Sequence, residues 1–298
     1  MSKPDEWVPF KPDARSVLAL DHDPLRALAQ ARIPAIIFRR AYDPDHCAGM
    51  IQRFIERGMM RDPNRPHCES EETFQFANKS KSRIDIGSSL VNRTRTVQMI
   101  SDDKARNRED FLQHSAKTHE LFSHLFEGFD HPVDTLYRAV STLAPDKEVK
   151  VARDPDGRLY GPAIFRIHYT GAAYPPHINH AAIDDKLFEF SVSRFKHQFA
   201  GLICFQNSLA QGNTPHAVVY RCPWTPEVDS HLTDGTFHEF ASANVFQTYQ
   251  IEVEPGDFYL FNSCCVHEVA AVPGTQPRIV LATFIGYSED DDEIFVWA

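Results

Sequence analysis

Four side chains in the second half of the chain are of types that together could hold a metal ion and a carboxylate. His177 and Asn179 follow two prolines, His267 stands 90 positions after His177, and Arg278 follows that second histidine by eleven positions. Histidines this far apart can bind one metal if each lies on a strand of a folded-over β core. An arginine nearby can hold a carboxylate through its forked N–H donors. The spacing therefore predicts a single-metal site with an anionic ligand.

Asn179 stands two residues after the first histidine, where such metal sites usually carry an acidic ligand. On an extended strand His177 and Asn179 would face the same side, and Pro175-Pro176 suits a strand start beside a cavity. His180 would share a face with His177 only in a helix, which the paired prolines disfavour, so it is the weaker candidate. An amide oxygen can occupy a metal site but supplies no negative charge. The predicted metal ligands are thus His177, His267 and Asn179.

The segment around the second histidine predicts how the arginine reaches the site. The apolar strand Phe258–Asn262 follows a turn, and Arg278 begins the next apolar strand. We expect a hairpin that brings Arg278 close to His267. Arg166 shares a strand face with His168, and this face points either into the cavity or toward solvent; in the first case Arg166 is a second candidate for binding an anionic cosubstrate.

The pattern of apolar residues along the chain changes near residue 148, from one typical of helices to one typical of short strands. The first part predicts helices from Pro44 to about Gly58, from about Arg108 to Phe126 and from about Pro132 to Leu143. The second part predicts the strands Ala163–Tyr169, Ala200–Phe205, Ala217–Tyr220, Phe246–Val253, Phe258–Asn262 and Ile279–Tyr287. This pattern indicates one mainly β domain over residues 1–298, with flanking α structure. We expect a double-stranded β-helix, the cupin-like jelly roll, at 148–298, and outer helices from a mainly helical part at 1–147.

The composition of the chain limits the kinds of ligand it could bind and the cellular compartments in which it could lie. The chain has 298 residues, 42% of them hydrophobic, and can bury a substantial core. Its formal net charge of −10 and the absence of a long basic cluster disfavour nucleic acid. The first thirty residues contain no apolar run typical of a signal peptide or membrane span, and the six cysteines show no CxxC spacing. We therefore expect a cytoplasmic protein without membrane contact that acts on a small molecule.

From about Leu159 to the C-terminus the chain resembles the free-standing iron/2-oxoglutarate halogenases of hapalindole-type alkaloid biosynthesis, within the wider jelly-roll oxygenase superfamily. The matching segments are Tyr160–Arg166, the His177 motif, Val218–Pro226, Gly256–Asn262, His267, the proline before Arg278, and Phe295–Trp297. The resemblance implies that His177 and His267 bind Fe(II) and that Arg278 holds the distal carboxylate of 2-oxoglutarate, with O2 as oxidant and chloride as a further candidate ligand. It also implies a free substrate, since no carrier protein is indicated.

Asn179 departs from both patterns known in this superfamily. The halogenases carry glycine at this position, which leaves room for chloride, and the related hydroxylases carry aspartate or glutamate. Three interpretations follow: an oxygenase with a neutral third ligand, a halogenase with a bulkier pocket, or a non-catalytic jelly-roll binding protein with a degenerate metal site. We expect the first, hydroxylation or a related oxidation of an unactivated C–H bond in specialised metabolism, because asparagine fills space that chloride would need.

Overall fold

A computed structural model of the protein describes residues 7–12, 23–62, 77–79, 82–90, 104–183, 187, 189–208 and 214–298. The strands are β1 (Ile36–Phe38), β2 (Ala77–Lys79), β3 (Arg83–Ile86), β4 (Glu148–Val151), β5 (Ile164–His168), β6 (Tyr174–His177), β7 (His197–Gln206), β8 (Ala217–Pro223), β9 (Thr248–Ile251), β10 (Phe258–Asn262), β11 (Cys265–Val269), β12 (Arg278–Tyr287) and β13 (Glu293–Trp297). The helices are α1 (Pro24–Ala29), α2 (Pro44–Glu56), α3 (Lys104–Leu125), α4 (Pro132–Leu143), α5 (Pro226–Thr233) and α6 (Phe237–Ala243), with a 3₁₀ turn at Ser191–Arg194.

The strands form two sheets. The larger has nine strands in the order β1-β10-β7-β12-β5-β3-β2, with β13 joined to β12 and β4 to β13. The smaller has the order β6-β11-β8-β9. Almost all neighbours are antiparallel, the described exception being the parallel pair of β13 and β4. This arrangement confirms the predicted jelly roll. Strands β1, β2 and β3, which precede residue 148, belong to the larger sheet.

Strand alternation gives the larger sheet two different faces. On one face, Ile279 and Leu281 of β12 join a core that includes Phe54 of α2 and Leu136 of α4. On the other face, Val280 of β12 lines a cavity beside the smaller sheet. The outer face is thus sealed by helices, and the inner face is left to form a site.

Two predicted helices begin where the sequence places them. The side chain of Asp43 caps α2 by accepting a hydrogen bond from the backbone N–H of Asp45, with Pro44 in the first turn. Helix α4 likewise begins with Pro132. These helices pack on the outside of the larger sheet, as expected. No helix in the described part of the chain is both long enough and apolar enough to cross a membrane.

Two local predictions near the site were wrong. Strand β11, with His267, belongs to the smaller sheet, and β12, which starts at Arg278, belongs to the larger one, so the two do not form a hairpin. Strand β6 ends at His177, so Asn179 lies beyond the strand. Sequence proximity had suggested a pairing, but the chain between β11 and β12 crosses from one sheet to the other.

Candidate metal centre

His177 and His267 lie side by side on neighbouring strands. They are register partners in the antiparallel pair of β6 and β11, and their ring centroids are 4.2 Å apart. Nδ1 of His177 is 2.8 Å from the carbonyl oxygen of Pro175, and Nδ1 of His267 is 2.9 Å from that of Cys265. A carbonyl can only accept, so each Nδ1 atom carries the proton of this contact, which in the neutral ring leaves the lone pair on Nε2. This is how proteins orient imidazoles that bind metal through Nε2.

Burial keeps the second histidine neutral. His267 is 5% exposed, and burial, with the neighbouring His177 adding to it, lowers its pKa well below the ordinary value. A metal ligand must be deprotonated, so this environment favours the binding form of the ring.

The side chain of Asn179 points at the same place as these rings. Its Nδ2 atom is 3.4 Å from Nε2 of His267. Its main-chain N–H donates to the carbonyl of Ser263 at 2.8 Å, so the residue stays beside the histidines although β6 has ended. The structure therefore brings together the three side chains that the sequence predicts as metal ligands.

Arg278 lies across the cavity, buried and close to polar groups. It is 5% exposed, and its Nη2 atom donates to the hydroxyl of Tyr259 at 3.2 Å. Its Cα lies opposite that of His168 on β5. Burial raises the pKa of Tyr259 and, together with nearby arginines, lowers that of His168 well below its ordinary value, so both residues are neutral. Arg278 thus supplies positive charge in the cavity that His177 and His267 also line.

The cavity between the sheets contains all of these side chains. Together with the open solvent at its mouth it takes in about 650 Å³, and its walls are mostly apolar. None of the described lining residues is acidic. Arg166 also lines the cavity, and its Nε atom is buried without a hydrogen-bond partner among the described residues. The described side chains of this wall therefore include two cations and no acidic group.

The sequence predicts His180 as a weaker candidate ligand than His177 and assigns no role to Tyr174. His180 is not among the cavity-lining residues, and its Nε2 atom is 3.3 Å from the carbonyl of Lys196, in agreement with its lower rank. Tyr174 was not assigned a role. Its ring stacks on His177 with centroids 5.8 Å apart, and its hydroxyl is 2.8 Å from Nε2 of His168. Its position three residues before His177 was the one available signal.

The donor set fits a divalent iron. Imidazole nitrogen suits Fe(II), and two histidines with one oxygen ligand match the ligand number of non-haem iron sites that keep open positions. In the described ranges there is no cluster of three His, Cys, Asp or Glu side chains that could hold a metal ion. Asn179, whose amide Nδ2 lies 3.4 Å from Nε2 of His267, offers an uncharged amide oxygen as a further donor.

A jelly roll with a two-histidine site opposite a buried arginine defines a non-haem iron, 2-oxoglutarate-dependent enzyme. The sequence matches the family of the carrier-protein-independent halogenase WelO5 over residues 13–298, and the chain belongs to this family. No curated protein matches it significantly.

The chain is also similar to solved structures at low sequence identity. An N-substituted L-amino acid dioxygenase from Burkholderia ambifaria AMMD is similar with a TM-score of 0.57 and 15% identity, over 95% of this chain and 91% of that one. HygX from Streptomyces hygroscopicus, with nickel and 2-oxoglutarate bound, has a TM-score of 0.49 and 9% identity, over 94% and 90% of the two chains. The likeness to the dioxygenase shows a common fold.

Proposed function

We propose that the protein hydroxylates, or otherwise oxygenates, an unactivated C–H bond of a free small molecule, using Fe(II), 2-oxoglutarate and O2. One observation carries this choice over halogenation: the amide of Asn179 lies 3.4 Å from Nε2 of His267. A side chain in that position occupies space that a chloride ligand would need.

Each metal-binding side chain has a defined task in this proposal. His177 and His267 bind Fe(II) through Nε2, since their Nδ1 protons are engaged by backbone carbonyls. Asn179 supplies its amide oxygen as a neutral third ligand. When bound, the iron and its cosubstrate activate dioxygen for attack on a C–H bond. The protein supplies orientation and a cavity that excludes water.

The cosubstrate is held by the cationic wall of the cavity. Arg278 binds the distal carboxylate of 2-oxoglutarate, because it is buried, faces the metal ligands and has no acidic neighbour among the described lining residues. Arg166 also lines this cavity and adds a second positive charge for the same dianion. A buried cation that lacks a counterion is costly, so an anionic ligand stabilises this wall.

The remaining surface of the cavity favours an apolar substrate. Its walls include Leu202, Phe261, Val269 and Phe284, and the ring of Phe261 lies 4.8 Å from that of His267. Such a lining suits a hydrocarbon-rich compound of specialised metabolism, which the enzyme would bind in the cytoplasm. The substrate would be a free molecule and not one attached to a carrier protein, in keeping with the carrier independence of the family.

The test is an assay of the purified enzyme with Fe(II), 2-oxoglutarate and O2, with chloride present and absent. We expect succinate formation in both conditions. With small-molecule extracts of the source cells as substrates, mass spectrometry should show products that have gained one oxygen atom. Products that gain only chlorine would refute the proposal for oxygenation. Absence of succinate above background, together with no absorption change on adding 2-oxoglutarate to the anaerobic Fe(II) protein, would refute the enzyme class.

Chlorination is the second candidate because the family is named for a halogenase. It requires that Asn179 turn away from the metal, which frees a position for the halide. The comparison that separates the two functions is the variant Asn179→Gly. It should gain chlorination if the amide excludes chloride, and should match the parent if the amide plays no part.

A further inference from the structure

The main chain of Asn179 is held by two buried polar residues. Its N–H donates to the carbonyl of Ser263 at 2.8 Å, and its C=O lies 2.8 Å from Ser263 Oγ and 3.3 Å from Gln198 Nε2, both donors. Ser263 is fully buried and Gln198 is 4% exposed. Because β6 ends before Asn179, these contacts replace the strand ladder that would otherwise satisfy its backbone.

These two residues are also fixed to each other and to the larger sheet. The N–H of Ser263 donates to the carbonyl of Gln198 at 3.0 Å. Ser263 Oγ lies 3.0 Å from that same carbonyl, so its one proton serves either Gln198 or Asn179. Oε1 of Gln198 accepts the N–H of Ala181 at 2.8 Å. Gln198 lies in β7 and Ser263 directly follows β10, its sheet neighbour. A buried and interconnected network of this kind is rigid.

A fixed main chain leaves only the two side-chain torsions of Asn179 to direct its amide. In the structure Nδ2 faces Nε2 of His267 at 3.4 Å. A half-turn about the second torsion exchanges Nδ2 and Oδ1 without moving the backbone. The acceptor oxygen can therefore face the point toward which the histidine nitrogen is directed.

We propose that Gln198 and Ser263 are positioning residues that hold the Asn179 amide in the third coordination position and thereby exclude chloride from the metal. The inference rests on the proposed function, since it assumes iron between His177 and His267. It predicts that loosening the two contacts, with Asn179 itself unchanged, admits chloride. The choice between oxygen and halide transfer would then depend on residues that do not touch the metal.

The test uses the full-length protein loaded anaerobically with Fe(II) and 2-oxoglutarate, and follows the charge-transfer absorption as sodium chloride is added at constant ionic strength. Four variants are compared with the parent: Asn179→Gly, Ser263→Ala, Gln198→Leu and Ser115→Ala. Ser115 is the matched control because it is also a fully buried serine with two hydrogen-bond contacts, but it lies on α3 away from the cavity. Thermal unfolding of each loaded variant monitors the fold.

We expect the parent and Ser115→Ala to bind chloride weakly, with a shift of the absorption band only at the highest chloride concentrations, and Asn179→Gly to show a saturable shift at much lower concentrations. Ser263→Ala and Gln198→Leu should each shift the band as well. Each should gain chloride affinity by about two- to tenfold, the equilibrium equivalent of one neutral hydrogen bond. The inference is overturned if both variants stay as insensitive as the parent while Asn179→Gly responds, or if the parent responds as strongly as Asn179→Gly. A parent that forms no charge-transfer band overturns the proposed function instead.

Discussion

Replacing Arg278 with glutamine should selectively destroy the affinity for 2-oxoglutarate. Arg278 is 5% exposed, its guanidinium donates to the Tyr259 hydroxyl at 3.2 Å, and no described side chain lining the cavity is acidic. A carboxylate that enters the cavity thus becomes its ion partner. Truncating one member of a buried, hydrogen-bonded charge pair costs about 2–5 kcal/mol. This corresponds to a dissociation constant raised by about 30-fold to about 5,000-fold.

The assay is an anaerobic titration of the Fe(II) protein, followed by charge-transfer absorption, with two ligands. One is 2-oxoglutarate, and the other is 2-oxopentanoate, which keeps the 2-oxo acid but has a methyl group in place of the distal carboxylate. Arg278→Gln should lose affinity for the first and retain affinity for the second. Tyr259→Phe is the matched control. It removes one hydrogen bond to the arginine and should lower the affinity for 2-oxoglutarate by only about two- to tenfold.

Two outcomes would refute this reasoning. If Arg278→Gln binds 2-oxoglutarate as tightly as the parent, the arginine does not hold the carboxylate. If Arg278→Gln lowers the affinity for both ligands by the same factor, the substitution acts on the metal or the fold and not on the distal carboxylate. Thermal unfolding of the variant would show whether the fold is affected.

Three further predictions follow from the site. Asn179→Asp should raise Fe(II) affinity by about tenfold or more, because it restores a charged ligand; a competition titration with a chelator measures this. Arg166→Gln should weaken the binding of 2-oxoglutarate less than Arg278→Gln does, because Arg278 is fixed by its hydrogen bond to Tyr259, whereas Arg166 supplies charge alone. An unchanged affinity for 2-oxoglutarate would show that Arg166 is not part of the cosubstrate site. His168 has a pKa held well below its ordinary value chiefly by burial, so the unfolded chain binds its proton first as the pH falls below about 6.5. Stability of the metal-free protein should then fall with decreasing pH, by about 1.4 kcal/mol per pH unit for this group, and denaturant titrations of His168→Gln should show a flatter dependence.

The elements that could be predicted are those with a local signal. Helix α2 begins where Asp43 and Pro44 predict it, and β10 has the predicted bounds Phe258–Asn262. The same local signal was present but overlooked at α5, where Thr225 caps a helix that starts with Pro226. In such cases a cap and a proline fix an element without help from the rest of the fold.

The relation between the two sheets could not be predicted, because it depends on pairing between distant segments. The eleven positions from His267 to Arg278 suit a hairpin as well as they suit a crossover. What decides the outcome is that β11 pairs with β6 and β8, whereas β12 pairs with β5, β7 and β13. The sequence thus predicted which side chains meet, and the packing of the sheets determined the wall from which each one reaches the cavity.

Under the proposed function, the position of Asn179 explains how one fold would host two kinds of transfer. The family match spans residues 13–298 and therefore includes the strands that carry His177 and His267. The main chain at residue 179 is held instead from the larger sheet, through Ser263 and Gln198. Since those contacts are made with the backbone of residue 179, with its N–H and C=O, they remain available whatever side chain stands there. A substitution at 179 can therefore change the ligand offered to the metal without moving either histidine, and the framework does not by itself determine the reaction.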